Sequence, residues 1–112
     1  MGLSSDMSGE TQVISVNCER IDAAMAIQFK EDMRAATQTD AKRVVLDLSA
    51  VEFIDSSGLG AIVASMKQLG EGRRLDLAGL RPIVEKVFRL TRMDTVFKLF
   101  ASLDEAMRAD AD

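Results

Sequence analysis

Residues Arg43 to Gly60 read Arg-Val-Val-Leu-Asp-Leu-Ser-Ala-Val-Glu-Phe-Ile-Asp-Ser-Ser-Gly-Leu-Gly, an apolar run followed by an acidic, serine-containing turn. Val44, Val45, Leu46 and Leu48 form the nearly continuous apolar run of a central strand covered on both faces. After the turn Asp55-Ser56-Ser57-Gly58, the residues Leu59, Ile62, Val63, Met66 and Leu69 recur on one helical stripe. A buried strand therefore runs through a short acidic turn into a helix opened by paired serines, which sets a hydroxyl on a rigid, exposed corner. A phosphate there would meet the open N–H groups and positive dipole end of the helix, while charging a surface that otherwise carries carboxylates.

Downstream, Gly70 and Gly72 end that helix. Arg74 to Ala78 reads as a further strand, and Pro82 stands where a first-turn proline is tolerated, ahead of Val84, Val87 and Phe88. A last strand is expected over Val96 to Phe100, followed by Ser102-Leu103-Asp104-Glu105, a capping-box pattern opening a terminal helix. Upstream, Thr11 to Asn17 reads as a strand that turns back through Cys18 to Ile21, and Asp22 as the N-cap of a helix carrying Met25, Ile27, Phe29, Met33 and Ala36. Residues 1–10, rich in Ser, Gly and acid, read as a flexible tail. Strands and helices thus alternate with short connections, which predicts one α/β domain over 11–109. Its sheet is expected to be mixed but largely parallel, of four to five strands with about four helices. Sites in such sheets form beyond the carboxyl ends of the strands, where Asp55 lies.

A chain of 112 residues, 47% hydrophobic, suffices for one core and not for two ordinary domains. Its net charge of −4 argues against binding nucleic acid or anionic membranes. The single Cys18 has no internal disulfide partner and reads as a small residue buried in a strand. No membrane span, signal peptide or myristoylation pattern is legible, so a soluble, cytoplasmic protein is expected.

With no histidine in the chain, a serine hydrolase triad or a His-based zinc site is excluded. Ser57 has no activating partner in view. Asp22, Asp47 and Asp55 read as structural acids rather than metal ligands, and neither metal nor cofactor is expected. Gly58-Leu59-Gly60 lacks the long loop and the lysine of a nucleotide cradle, which leaves a small nucleotide-binding enzyme the weakest reading.

The run from Val44 to Gly60 closely resembles the signature of the STAS domain as found in bacterial anti-sigma factor antagonists. Arg20-Ile21-Asp22-Ala23-Ala24, the strand and turn from Leu75 to Gly79, and the segment from Phe97 to Ala106 resemble the same family. The resemblance spans nearly everything after Thr11. Two departures stand out: Glu19 and Arg92 each occupy a position where the family usually has glycine.

The resemblance implies a non-enzymatic partner switch. Antagonists of this family bind an anti-sigma factor, typically a serine kinase with an ATP-binding fold, and thereby release a sigma factor. The kinase phosphorylates the second serine of the turn, which carries over to Ser57, and a serine phosphatase restores binding. Asp22, Asp55, Ser56, Ser57 and Gly58 are the implied partner-binding residues, and the exposed side of the following helix, including Ala61, Ser65 and Gln68, a further docking face. A monomer is expected, with a weak dimer as the alternative. The same fold also serves as a scaffold or adaptor subunit of signalling or lipid-transport complexes without phosphorylation, which is the competing reading.

Overall fold

The structure, a computed structural model, describes residues 2–109. Strands β1 (Leu3–Ser8) and β2 (Thr11–Val16) form a hairpin, followed by the short strand β3 (Arg20–Ile21) and helix α1 (Ala26–Ala36). Then come β4 (Arg43–Asp47), β5 (Phe53–Ile54), α2 (Ser56–Leu69), β6 (Arg74–Ala78), α3 (Pro82–Leu90), β7 (Leu99–Phe100) and α4 (Leu103–Ala109). The main sheet has the order β1-β2-β4-β6-β7; β1 is antiparallel to β2 and every other pairing is parallel. A separate two-stranded sheet pairs β3 with β5 in parallel.

The alternation read from the sequence is explained by where each face of β4 points. Val44 and Leu46 join Ile14 and Val16 of β2 and Leu75 and Leu77 of β6 in the main core, which Phe29, Met33, Ile62 and Phe88 complete from α1, α2 and α3. Val45, one residue out of phase, belongs to the opposite face with Ala78 and with Ala106 of α4. Beside them the Arg43 and Asp76 side chains form an ion pair at 2.7 Å, 6% and 3% exposed, with the guanidinium over the Phe100 ring. Buried Gln12 ties the hairpin to α1: its amide donates to the Ala36 carbonyl at 2.6 Å and to Ser5 Oγ at 2.8 Å.

Several expectations are corrected. Residues 3–8 are a strand rather than part of a flexible tail, because the register Leu3–Val16 through Ser8–Thr11 supplies backbone bonds that need no apolar side chains. The turn-back toward Ile21 is a strand that pairs away from β2, in the small sheet. Cys18 lies half-buried in a bend, where its thiol donates to the Arg20 carbonyl at 3.3 Å, and burial pushes its pKa up. Ile27 is 69% exposed, off the buried stripe of Ala26, Phe29 and Met33. The last strand shrinks to Leu99–Phe100, because Met93–Thr95 closes a 3-10 turn and Phe97 is drawn into the core edge-on to Phe88. As expected, Pro82 opens α3 and Ser102 Oγ caps α4 by accepting from the Glu105 N–H at 3.1 Å.

Candidate functional site

The small sheet leads straight into the serine turn. β5 ends at Ile54, Asp55 follows in extended conformation, and α2 begins at Ser56. The Asp55 N–H donates to the Ile21 carbonyl at 3.4 Å and its own carbonyl accepts from Leu59 at 2.9 Å, so Asp55 sits at the junction of strand and helix. Its carboxylate does two jobs. Oδ1 accepts from the Gly58 N–H at 2.9 Å and caps the helix, while Oδ2 accepts from the Ala23 N–H at 3.1 Å, 32 residues away in sequence. The Gly58 bond above all, then those from Ala23 and Ser57 and the nearby Arg20 charge, hold the Asp55 pKa below the usual carboxylate value against a weaker opposing pull from desolvation.

Asp22 does not cap α1, whose N-cap is Met25. It turns the loop instead: Oδ1 accepts from the Ala24 N–H at 3.1 Å and Oδ2 pairs with Arg20 Nε at 3.2 Å. The Arg20 guanidinium in turn lies 4.1 Å from the centre of the Phe53 ring, across the β3–β5 ladder. Asp22 and Asp55 therefore brace the same loop, residues 22–25, from two sides, and sequence spacing gave no sign of that pairing.

Ser56 and Ser57 are exposed and Gly58 is buried against Ile21. The Gly58 N–H is committed to Asp55, so at least this one of the helix N–H groups expected to receive a phosphate is already taken. The docking face expected along α2 is also corrected. Ala61 and Ser65 are buried, Ser65 Oγ donating to the Ala61 carbonyl at 2.8 Å, because α2 packs against α1 as well as the sheet. The exposed residues of α2 are Ser56, Ser57, Gly60, Lys67 and Gln68, a stripe that begins at the serine turn.

Of the two departures from the family pattern, Arg92 has φ +63°, the left-handed conformation that glycine adopts without strain. Glu19 accepts two backbone bonds at its carbonyl, from Glu52 at 2.7 Å and Phe53 at 3.1 Å, and so continues the β3–β5 pairing.

The sequence model of the STAS domain matches residues 7–106. The chain is 28% identical over 95 residues, 85% of its length and 77% of the relative's, to the anti-sigma-F factor antagonist RsfB of Mycobacterium tuberculosis. Its fold superposes on an anti-sigma factor antagonist of Mycobacterium paratuberculosis with a TM-score of 0.87 at 29% identity, covering 98% of this chain and 93% of that one. An anti-sigma-factor antagonist (STAS) domain protein of Planctomyces limnophilus matches with a TM-score of 0.90 at 25% identity over the full length of both chains. Each of these names denotes a regulatory protein. By sequence and by fold, this chain belongs to the STAS domain family.

Proposed function

We propose that this chain is an anti-sigma factor antagonist. It binds an anti-sigma factor that is also a serine kinase, through a surface formed by Asp22, Asp55, Ser56 and Ser57 over the buried Gly58, and so frees a sigma factor. The kinase transfers a phosphoryl group to Ser57 Oγ, which ends binding, and a serine phosphatase removes it. It does this in the cytoplasm and catalyses no reaction of its own.

The observation that carries this reading is the exposed Ser57 on the first turn of α2, beside an Asp55 carboxylate pinned by two backbone N–H groups. A pinned carboxylate cannot swing away when charge arrives next to it. Phosphorylation adds about −1.5 to −2 charges at neutral pH. A partner surface fitted to a neutral hydroxyl then meets bulk and charge together; a penalty of about 3 to 4 kcal/mol lowers affinity roughly a hundred- to a thousandfold. The switch needs no change of fold.

Phosphopeptide mapping after incubation with the cognate kinase tests the site. Label on Ser57 is expected, and label mainly on Ser56 or on Ser4 rejects the assignment. A pull-down from the native cell, with the unmodified chain and with Ser57→Asp, tests the role: the kinase is expected with the first only. Recovery of a transporter ATPase in its place supports the scaffold reading.

A further inference from the structure

The main sheet ends on β1, whose outer edge faces no other strand among the described residues. The Gly2 carbonyl accepts from the Asn17 N–H at 2.9 Å, and the same register sets Ser4 opposite Ser15, Asp6 opposite Val13 and Ser8 opposite Thr11. Hydrogen-bonded pairs alternate along an antiparallel ladder. Gly2, Ser4, Asp6 and Ser8 therefore turn their backbone groups toward β2, and Leu3, Ser5 and Met7 turn theirs outward. Those three also share a sheet face, the one on which Leu3 packs against the main core and Ser5 Oγ accepts from Gln12. Met7 on that face is 53% exposed.

We infer that this edge pairs with the same edge of a second copy, antiparallel, about a two-fold axis at Ser5. In that register Ser5 faces Ser5 of the second copy and Leu3 faces its Met7, and each facing pair exchanges both of its backbone hydrogen bonds. The two main sheets become one.

Three features select a copy of this chain as the occupant. The outward groups fall on alternate residues symmetric about Ser5, so the edge is complementary to itself when reversed. Each Met7 is covered by a Leu3 already seated at the rim of a core, an apolar cross-strand pair. On the opposite face Asp6 falls across from Ser4 and not from another Asp6, so no like charges are opposed. A shift of one residue would bring Ser4 and Asp6, whose backbone groups are committed to β2, to the junction. β1 also carries no proline, lysine or bulge, the usual devices that block such pairing. Asp22, Asp55 and Ser57 lie on or beside β3, β5 and α2 and not on β1. The inference does not depend on the proposed function.

Sedimentation velocity on the full chain between about 10 µM and 1 mM tests it, with a shift from monomer to dimer mass expected. Ser5→Pro removes one outward N–H and none that bonds β2; it is expected to weaken dimerisation about tenfold or more, with the circular dichroism unchanged. Ser5→Ala retains the dimer. Should Ser5→Pro fail to fold, amide exchange on the unmodified chain decides: Leu3, Ser5 and Met7 gain protection as concentration rises, whereas Ser4, Asp6 and Ser8 are protected throughout. A chain that stays monomeric at the top concentration overturns the inference. So does a dimer that folded Ser5→Pro leaves intact, or exchange at Leu3, Ser5 and Met7 that ignores concentration.

Discussion

Gly58 lies so close to Ile21 that a β-carbon added to it would overlap the Ile21 carbonyl oxygen. The first turn of α2 and the end of β3 are therefore in backbone contact, and the serine turn is set against the loop that holds Asp22.

Gly58→Ala is accordingly expected to push α2 away from β3. The cost is about 1 to 3 kcal/mol, the range for forcing extra volume into a packed site. Urea denaturation measures it. The same substitution at Gly60, where a β-carbon meets no atom within 4 Å, is expected to leave stability the same or slightly raised.

Asp55→Asn is expected to change the acid limb of the stability curve. The folded-state pKa of Asp55 lies below its unfolded value, so its contribution is complete above the unfolded pKa of about 3.9 and is lost as pH falls through the depressed folded value. The unmodified chain should exceed Asp55→Asn in urea midpoint at neutral pH by a constant margin, and the two should converge in strong acid. Equal midpoints at neutral pH would remove the staple assigned to this carboxylate.

Ser57→Asp is expected to keep the fold and lose the partner. A negative charge on the first turn of a helix is favourable toward its dipole, so thermal unfolding should shift little, while affinity for the anti-sigma factor falls roughly a hundred- to a thousandfold. Ser57→Ala should bind like the unmodified chain. Calorimetric titration of both variants separates the two effects, and tight binding by Ser57→Asp would be evidence that the electrostatic account is wrong.

Much of this was legible beforehand because it rests on side-chain pattern. The apolar run of β4, the Asp55 cap, the end of α2 at Gly70 and Pro82 at the start of α3 are all written in residue types. What escaped rests on backbone or on distant contact. β1 is mostly polar, and main-chain bonds to β2 hold it, with Leu3 packed at the core edge. Asp22 resembles a cap and does accept from the Ala24 N–H, but the backbone closes a separate turn there, Met25 N–H to the Asp22 carbonyl at 3.1 Å, and the helix starts only after Met25. Ala61 and Ser65 look solvent-facing until α1 is laid beside α2.

The Arg43–Asp76 pair spans β4 and β6 in the interior, and Arg74 Nε reaches the same Asp76 oxygen at 3.3 Å, so one buried carboxylate serves two guanidinium groups. Asp76→Ala removes the acceptor of both arginines and is expected to lower the unfolding midpoint, and the double replacement Arg43→Met with Asp76→Leu to recover part of the loss. A double-mutant cycle in guanidinium chloride gives the coupling.

Arg92→Gly is expected to stabilise the chain by about 0.5 to 1 kcal/mol. A left-handed residue with a side chain is strained by about 1 to 2 kcal/mol, and the greater freedom of glycine in the unfolded chain returns part of that. The bonds at this corner, from Arg92 N–H to the Arg89 carbonyl and from Thr95 Oγ1 to the Arg92 carbonyl, use backbone atoms of residue 92 and survive the change. A lowered melting temperature would assign the Arg92 side chain a contact worth more than its strain.

Asp22 and Asp55 hang on a two-residue ladder of their own and not on the five-stranded sheet. Mutations that reshape this ribbon can accumulate without unsettling the scaffold beneath it. Drift of a few positions on the ribbon is then enough to change what the serine turn can meet while one architecture stays beneath it.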